Sequence, residues 1–162
     1  MTNKISNEIQ LIDIKRFEVG LLDQWTTKVA LMTKEARFIG GEEIEVLEEN
    51  LKKRSATNHV ISCANGTDAL QLALRSLNVG PGDRVLLADF TFWATFEAII
   101  NVGGVPITVD CELVDGGLSF DCFIEAAEKY RPKAAILPHL FGWSSRHLKQ
   151  IRDYANEKEI FL

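Results

Sequence analysis

Two stretches of this chain, Asn65-Gly66-Thr67-Asp68-Ala69-Leu70 and Thr91-Phe92-Trp93-Ala94-Thr95, hold residue types at spacings that can do chemistry. In the first, an apolar run over residues 60–64 feeds a Gly-containing turn, which opens into a helix with Leu70, Ala73, Leu74 and Leu77 on one face. The first N–H groups of a helix have no partner inside it, and the aligned peptide dipoles leave partial positive charge there. Such a helix start accepts an anion, a phosphate above all. Gly66 lets the backbone come close to a ligand, and the Thr67 hydroxyl is placed to cap the helix and add one hydrogen bond. Phe92 and Trp93 offer a flat apolar face that suits a planar aromatic ligand. Each signal alone also fits a plainer role: a capped, packed helix for Gly66-Thr67, and core packing for the aromatics.

These stretches need a scaffold, and the pattern of the chain supplies one. Apolar residues at Phe17, Leu21, Trp25, Val29, Met32 and Ala36 draw one stripe along a packing helix over 15–38. A second helix is predicted after Gly40-Gly41, with Glu42, Glu43 and Glu45 in its first turn, Lys52, Lys53 and Arg54 in its last, and Ile44, Leu47 and Leu51 buried. From His59 onward short apolar runs alternate with amphipathic ones. Strands are predicted over 60–64, 84–88, 105–109 and 134–137, and helices over 67–77, 92–102, 120–130 (Ser119 as a possible cap) and 147–157, with a further apolar run opening at 160–162. That alternation predicts a layered α/β domain with a mostly parallel sheet, because each parallel connection needs a crossover. Ligands in such sheets sit beyond the carboxyl ends of the strands, where residues 63–67, 88–92 and 137–142 would form one rim.

Composition narrows the function. The 162 residues, 46% hydrophobic and 25% charged, suffice for one globular core. A net charge of -5 and a pI near 5.2 argue against nucleic acid or an anionic membrane as partner. No signal-peptide pattern or membrane-length apolar run stands out, so the chain reads as cytoplasmic. Cys63, Cys111 and Cys122, like His59, His139 and His147, match no metal or disulfide spacing. Neither a G-x-G-x-x-G nor a phosphate-loop motif occurs, and Gly142-Trp143-Ser144-Ser145-Arg146 lacks the second glycine of a nucleophile elbow.

The ordered set Asn65 to Leu70, Val79-Gly80-Pro81-Gly82-Asp83, Thr91 to Thr95 and His139-Leu140-Phe141-Gly142 resembles the DegT/DnrJ/EryC1/StrS family of sugar aminotransferases. Leu11 to Arg16 and Arg37 to Glu42 are similar to that family's N-terminal segment and the lead-in to its large domain. The resemblance implies an aspartate-aminotransferase-like fold (fold type I), with 1–40 as an N-terminal helical segment and 41–162 as the N-terminal part of a truncated cofactor-binding large domain. It implies pyridoxal 5'-phosphate as cofactor, a homodimer, a keto sugar on a nucleotide diphosphate as acceptor and glutamate as amino donor. Matched residue by residue, Gly66, Thr67 and the Asp68 backbone correspond to the phosphate cradle. Phe92 corresponds to the aromatic that stacks on the pyridine ring, with Trp93 as runner-up. His139 falls in the family's strand-end motif, which usually has Val where this chain has Pro138.

The family's pyridine-nitrogen carboxylate and Schiff-base lysine belong to later motifs, and none of the ten lysines here stands in one. The chain stops in what reads as the opening of a strand. It is therefore expected to be an N-terminal piece of a longer protein, inactive by itself and prone to association. Two alternatives stay open: a sugar dehydratase of the same family, in which the lysine position is changed, and a non-catalytic α/β module that binds a phosphorylated ligand.

Overall fold

The computed structural model describes residues 17–162. The family-like segment at 11–16 and the opening of the helix predicted over 15–38 lie outside the described residues. The chain divides into two compact units, one ending at Ser62 and the other running Cys63–Leu162. The boundary predicted between 40 and 41 falls just before the second helix of the first unit.

In the first unit, α1 (Leu21–Glu35) and α2 (Glu42–Ser55) form where the apolar period and the charged ends place them. Neither helix has a buried residue. Trp25 is 64% exposed, and Ile44, Leu47 and Leu51, the predicted buried side of α2, are exposed as well. Periodicity reports which face a helix offers; burial needs a second surface, and the described residues of this unit supply none. A Lys28–Glu43 ion pair joins the two helices. The Glu48 carboxylate accepts the Ser62 N–H at 2.7 Å, and that backbone bond holds its pKa below the ordinary value.

The second unit runs α3 (Gly66–Ser76), β1 (Arg84–Ala88), α4 (Trp93–Asn101), β2 (Val105–Val109), α5 (Phe120–Tyr130), β3 (Ala134–Ile136) and α6 (Leu148–Glu157), with a one-turn 3-10 helix at Leu140–Gly142. The three strands are parallel in the order β2-β1-β3, with Arg84 opposite Val105 and Val85 opposite Ala134. Successive side chains of the central strand point to opposite faces, and both faces are covered. Val85 and Leu87 pack with Leu74 of α3 and Ala98 and Ile99 of α4. Leu86 and Ala88 pack with Phe123 of α5 and Ile151 and Ala155 of α6.

Three local expectations are corrected. Residues 60–64 form no strand and pair with none among the described residues, and Ile61 is exposed. Ser119 does stand before α5, but its side chain makes no capping bond. On α3 only Leu74 is buried, while Leu70 and Leu77 are partly covered and Ala73 is exposed. The apolar run at 160–162 does open beside β3: Phe161 bridges Ala134, with Ala135 N–H donating to Phe161 O at 2.7 Å.

Candidate functional site

The start of α3 is built by a reciprocal cap. Asn65, in extended conformation, accepts the Asp68 N–H on Oδ1 at 2.9 Å, and its Nδ2 donates to the Asp68 carboxylate at 3.1 Å. The capping role expected of Thr67 therefore falls to Asn65, two residues earlier. The N-x-x-D spacing is the signal that would have found it. This cap occupies the Asp68 N–H and leaves Gly66 N–H, Thr67 N–H and the Thr67 hydroxyl without an acceptor among the described residues. A Cβ added at Gly66 would meet nothing within 4 Å, so the approach to these donors is open. Two N–H groups and a hydroxyl around an uncovered glycine, at the positive end of a helix, are a donor set that fits a phosphate.

α3 and α4 pack side by side, and Arg75 in the last turn of α3 donates to the carbonyl of Asn101, the last residue of α4, at 3.4 Å. With their carboxyl ends together, the two helices present their amino ends to the same rim, the one where β1 turns into α4. Phe92 is the N-cap of α4 and is 71% exposed. Trp93 is 65% exposed, but one face of its indole is stacked on Phe96, with centroids 5.0 Å apart and planes at 30°. Of the two aromatics, Phe92 is the less committed.

The rest of the rim differs in character. A hollow of about 660 Å³ beside β1 and β2 is lined by Asp89, Phe90, Asp110, Cys111, Asp115 and Trp143 among others. Gly66, Thr67 and Phe92 are not among its lining residues, so this hollow does not lie over the α3 start. Asp115, in its lining, accepts Arg146 N–H at 2.9 Å and Gly117 N–H at 2.8 Å, which hold its pKa below the ordinary value. Burial pushes the Cys111 thiol up to about 11. His139 lines a different hollow, between α3 and β3, together with Leu70 and Arg152. After it Phe141 sits in the left-handed region (φ 57°, ψ 17°), a strained conformation for a bulky residue. Among the described residues no three metal-ligating side chains cluster, and no helix is long and apolar enough to cross a membrane.

Comparison with known proteins places this architecture. The profile of the DegT/DnrJ/EryC1/StrS aminotransferase family matches residues 23–162. A UDP-N-acetyl-3-dehydro-alpha-D-glucosamine 3-aminotransferase of Acidithiobacillus ferrooxidans is 40% identical over 134 residues, which cover 83% of this chain and 36% of that protein. Among solved structures, a DegT/DnrJ/EryC1/StrS aminotransferase from Brucella abortus superposes with a TM-score of 0.84 at 32% identity, over 95% of this chain and 43% of that one. A Bacillus subtilis protein crystallised with bound cofactor PMP superposes with a TM-score of 0.88 at 27% identity, over 99% of this chain and 37% of that one. The chain thus spans between about a quarter and little more than a third of the length of the curated relatives it matches. The parallel sheet flanked by helices is the aminotransferase architecture that the motifs predicted.

Proposed function

This chain belongs to the DegT/DnrJ/EryC1/StrS aminotransferase family, and from that membership we propose that it forms the phosphate-holding and ring-facing part of a pyridoxal 5'-phosphate site. The protein of which this stretch is the counterpart moves an amino group onto a keto sugar carried on a nucleotide diphosphate. The observation that carries the reading is the open amino end of α3, where a Cβ added at Gly66 would meet nothing within 4 Å, on the same rim as the exposed Phe92 ring.

Gly66 N–H, Thr67 N–H and the Thr67 hydroxyl bind the phosphate, where their charge and direction suit a dianion. Asp68 contributes through its backbone, which fixes Asn65 and with it the first turn of α3. Phe92 lays its face against the pyridine ring and excludes water from it. The bound cofactor supplies the amino-group carrier and electron sink that no side chain provides. We also assign glutamate as donor and a homodimer as the assembled form. The exposed apolar stripe of α1, with Trp25 and Val29, supports a subunit contact.

The test is a titration of pyridoxal 5'-phosphate into the 162-residue chain, followed at the Gly66 and Thr67 amides by NMR. A hydrogen bond to a charged group contributes about 1.5–3 kcal/mol. Thr67→Ala is therefore expected to weaken binding roughly ten-fold or more. A nucleotide that binds as tightly as pyridoxal phosphate, with neither ligand sensitive to Thr67, would instead identify a generic phospholigand module.

A further inference from the structure

Thr95 is only 6% exposed, in a helix whose other buried residues are Ala94, Ala98 and Ile99. A valine would fill nearly the same volume without a polar atom to bury, so its hydroxyl calls for an explanation. Helical hydroxyls ordinarily return to the carbonyl one turn back. Thr26, Thr33 and Ser55 do so, to Leu22, Val29 and Leu51 at 2.9, 2.8 and 2.7 Å. Thr95 instead meets the hydroxyl of Thr91, at 2.9 Å. Its backbone N–H donates to the carbonyl of Phe92 at 3.1 Å. One buried residue thereby holds the chain on both sides of the Phe92 Cα, in a helix start that has no side-chain cap of its own.

Building on the cofactor reading above, we propose that the Thr91–Thr95 hydroxyl pair is a positioning device that fixes the aim of the Phe92 ring. Thr95 touches no ligand; it acts through the corner at residues 91–92. The pair lets Phe92 stay exposed toward a ligand and still point one way, since the backbone that carries the ring is tied to a buried anchor. Without the tie, part of the binding energy would be spent in ordering the corner.

Pyridoxal 5'-phosphate is titrated into the 162-residue chain as wild type, Thr95→Val, Thr95→Ser, Thr91→Val, Phe92→Ala and the Phe92→Ala/Thr95→Val double variant, with amide shifts as readout. Thr95→Val is expected to weaken binding about five-fold, the size of one lost hydrogen bond. Thr95→Ser keeps the hydroxyl and stays within about two-fold of wild type. Thr91→Val removes the other end of the pair at a less buried site and reproduces the five-fold loss even where Thr95→Val folds poorly. In the Phe92→Ala background Thr95→Val costs nothing further, because its effect passes through the missing ring. Wild-type binding by both valine variants, or the same loss with and without Phe92, overturns the proposal. Phe92→Ala binding as wild type, or no binding by wild type, refutes the cofactor reading and this inference with it. A weakened Phe92→Ala beside intact valine variants refutes this inference alone.

Discussion

Adding one methyl group at Gly117 is the sharpest structural test of how the rim is held. A Cβ built there would lie 2.4 Å from Ser145 Cα and 2.5 Å from Ser145 N. Carbon atoms pack at about 3.5–4.0 Å, so the two segments would have to part by more than about 1 Å. Both are backbone, and no side chain can swing aside. They are also stitched together around the contact: Ser145 Oγ donates to Leu118 O at 3.0 Å, and Asp115 accepts N–H groups from Gly117 and Arg146. Overpacking of this kind costs about 1–3 kcal/mol, and two fixed backbones place Gly117→Ala at the upper end, about 3 kcal/mol. The assay is urea denaturation, read as a lowered midpoint at unchanged slope. Gly80→Ala is the control: its Cβ meets nothing within 4 Å and its φ is not in the left-handed region, so its midpoint should hold or rise slightly. A Gly117→Ala midpoint within about 0.5 kcal/mol of wild type would refute the close approach of residues 117 and 145.

Phe123, fully buried between the sheet and α6, is expected to cost about 3–5 kcal/mol on replacement by alanine in the same urea assay; a loss below about 1 kcal/mol would contradict its place in the core. Asp83 accepts a hydrogen bond from Lys133 at 2.8 Å, and that bond, then the one from Gly80 N–H, lowers its pKa below 3.8. Because the folded value is the lower one, its contribution is present above pH 4 and fades as pH falls through the folded pKa. Asp83→Asn should therefore melt lower than wild type at pH 7, with the gap narrowing in acid; a gap that widens in acid would reverse the sign of this argument. In the folded chain at pH 8, exposed Cys63 should take up iodoacetamide well before Cys111, whose thiol lies near 11, and peptide mass spectrometry at intervals would show equal uptake if burial has no such effect. The uncovered apolar faces of α1 and α2 should make the chain associate at micromolar concentration, and a monomer by sedimentation velocity across that range would count against a contact surface there.

Much of the second unit was legible because strands and helices there differ in period and are separated by Gly, Pro and Asp. The runs at 84–88 and 105–109 became β1 and β2 with the same limits. The run at 60–64 has the same apolar content but no strand, because pairing belongs to the neighbour as much as to the sequence. The stripes of α1 and α2 were legible as stripes, whereas their exposure depends on surfaces that periodicity does not encode. At the site, the α3 start could be named from residue type, and Phe92 only from the family resemblance. The choice of Asn65 over Thr67 as cap was legible only in the N-x-x-D spacing, since both residue types are good caps and helix ends shift by a residue or two. Neither the diversion of the Thr95 hydroxyl nor the approach of Gly117 to Ser145 leaves a mark on hydropathy.

The central place of β1 also sets a gradient of hydrogen exchange across the rim. Amides of β1 are enclosed by β2 and β3 and by cover on both faces, so they open only with the whole unit and exchange slowest. Phe92 follows four residues after that strand and is mounted on its protection. Gly66 and Thr67 follow residues 60–64, which belong to no strand, and their own N–H groups have no acceptor among the described residues. The ring platform is thus slow to open and the phosphate end quick. An anion arriving at Gly66 would do most of its ordering there, and protection gained on binding should concentrate at residues 66–67 and leave β1 unchanged.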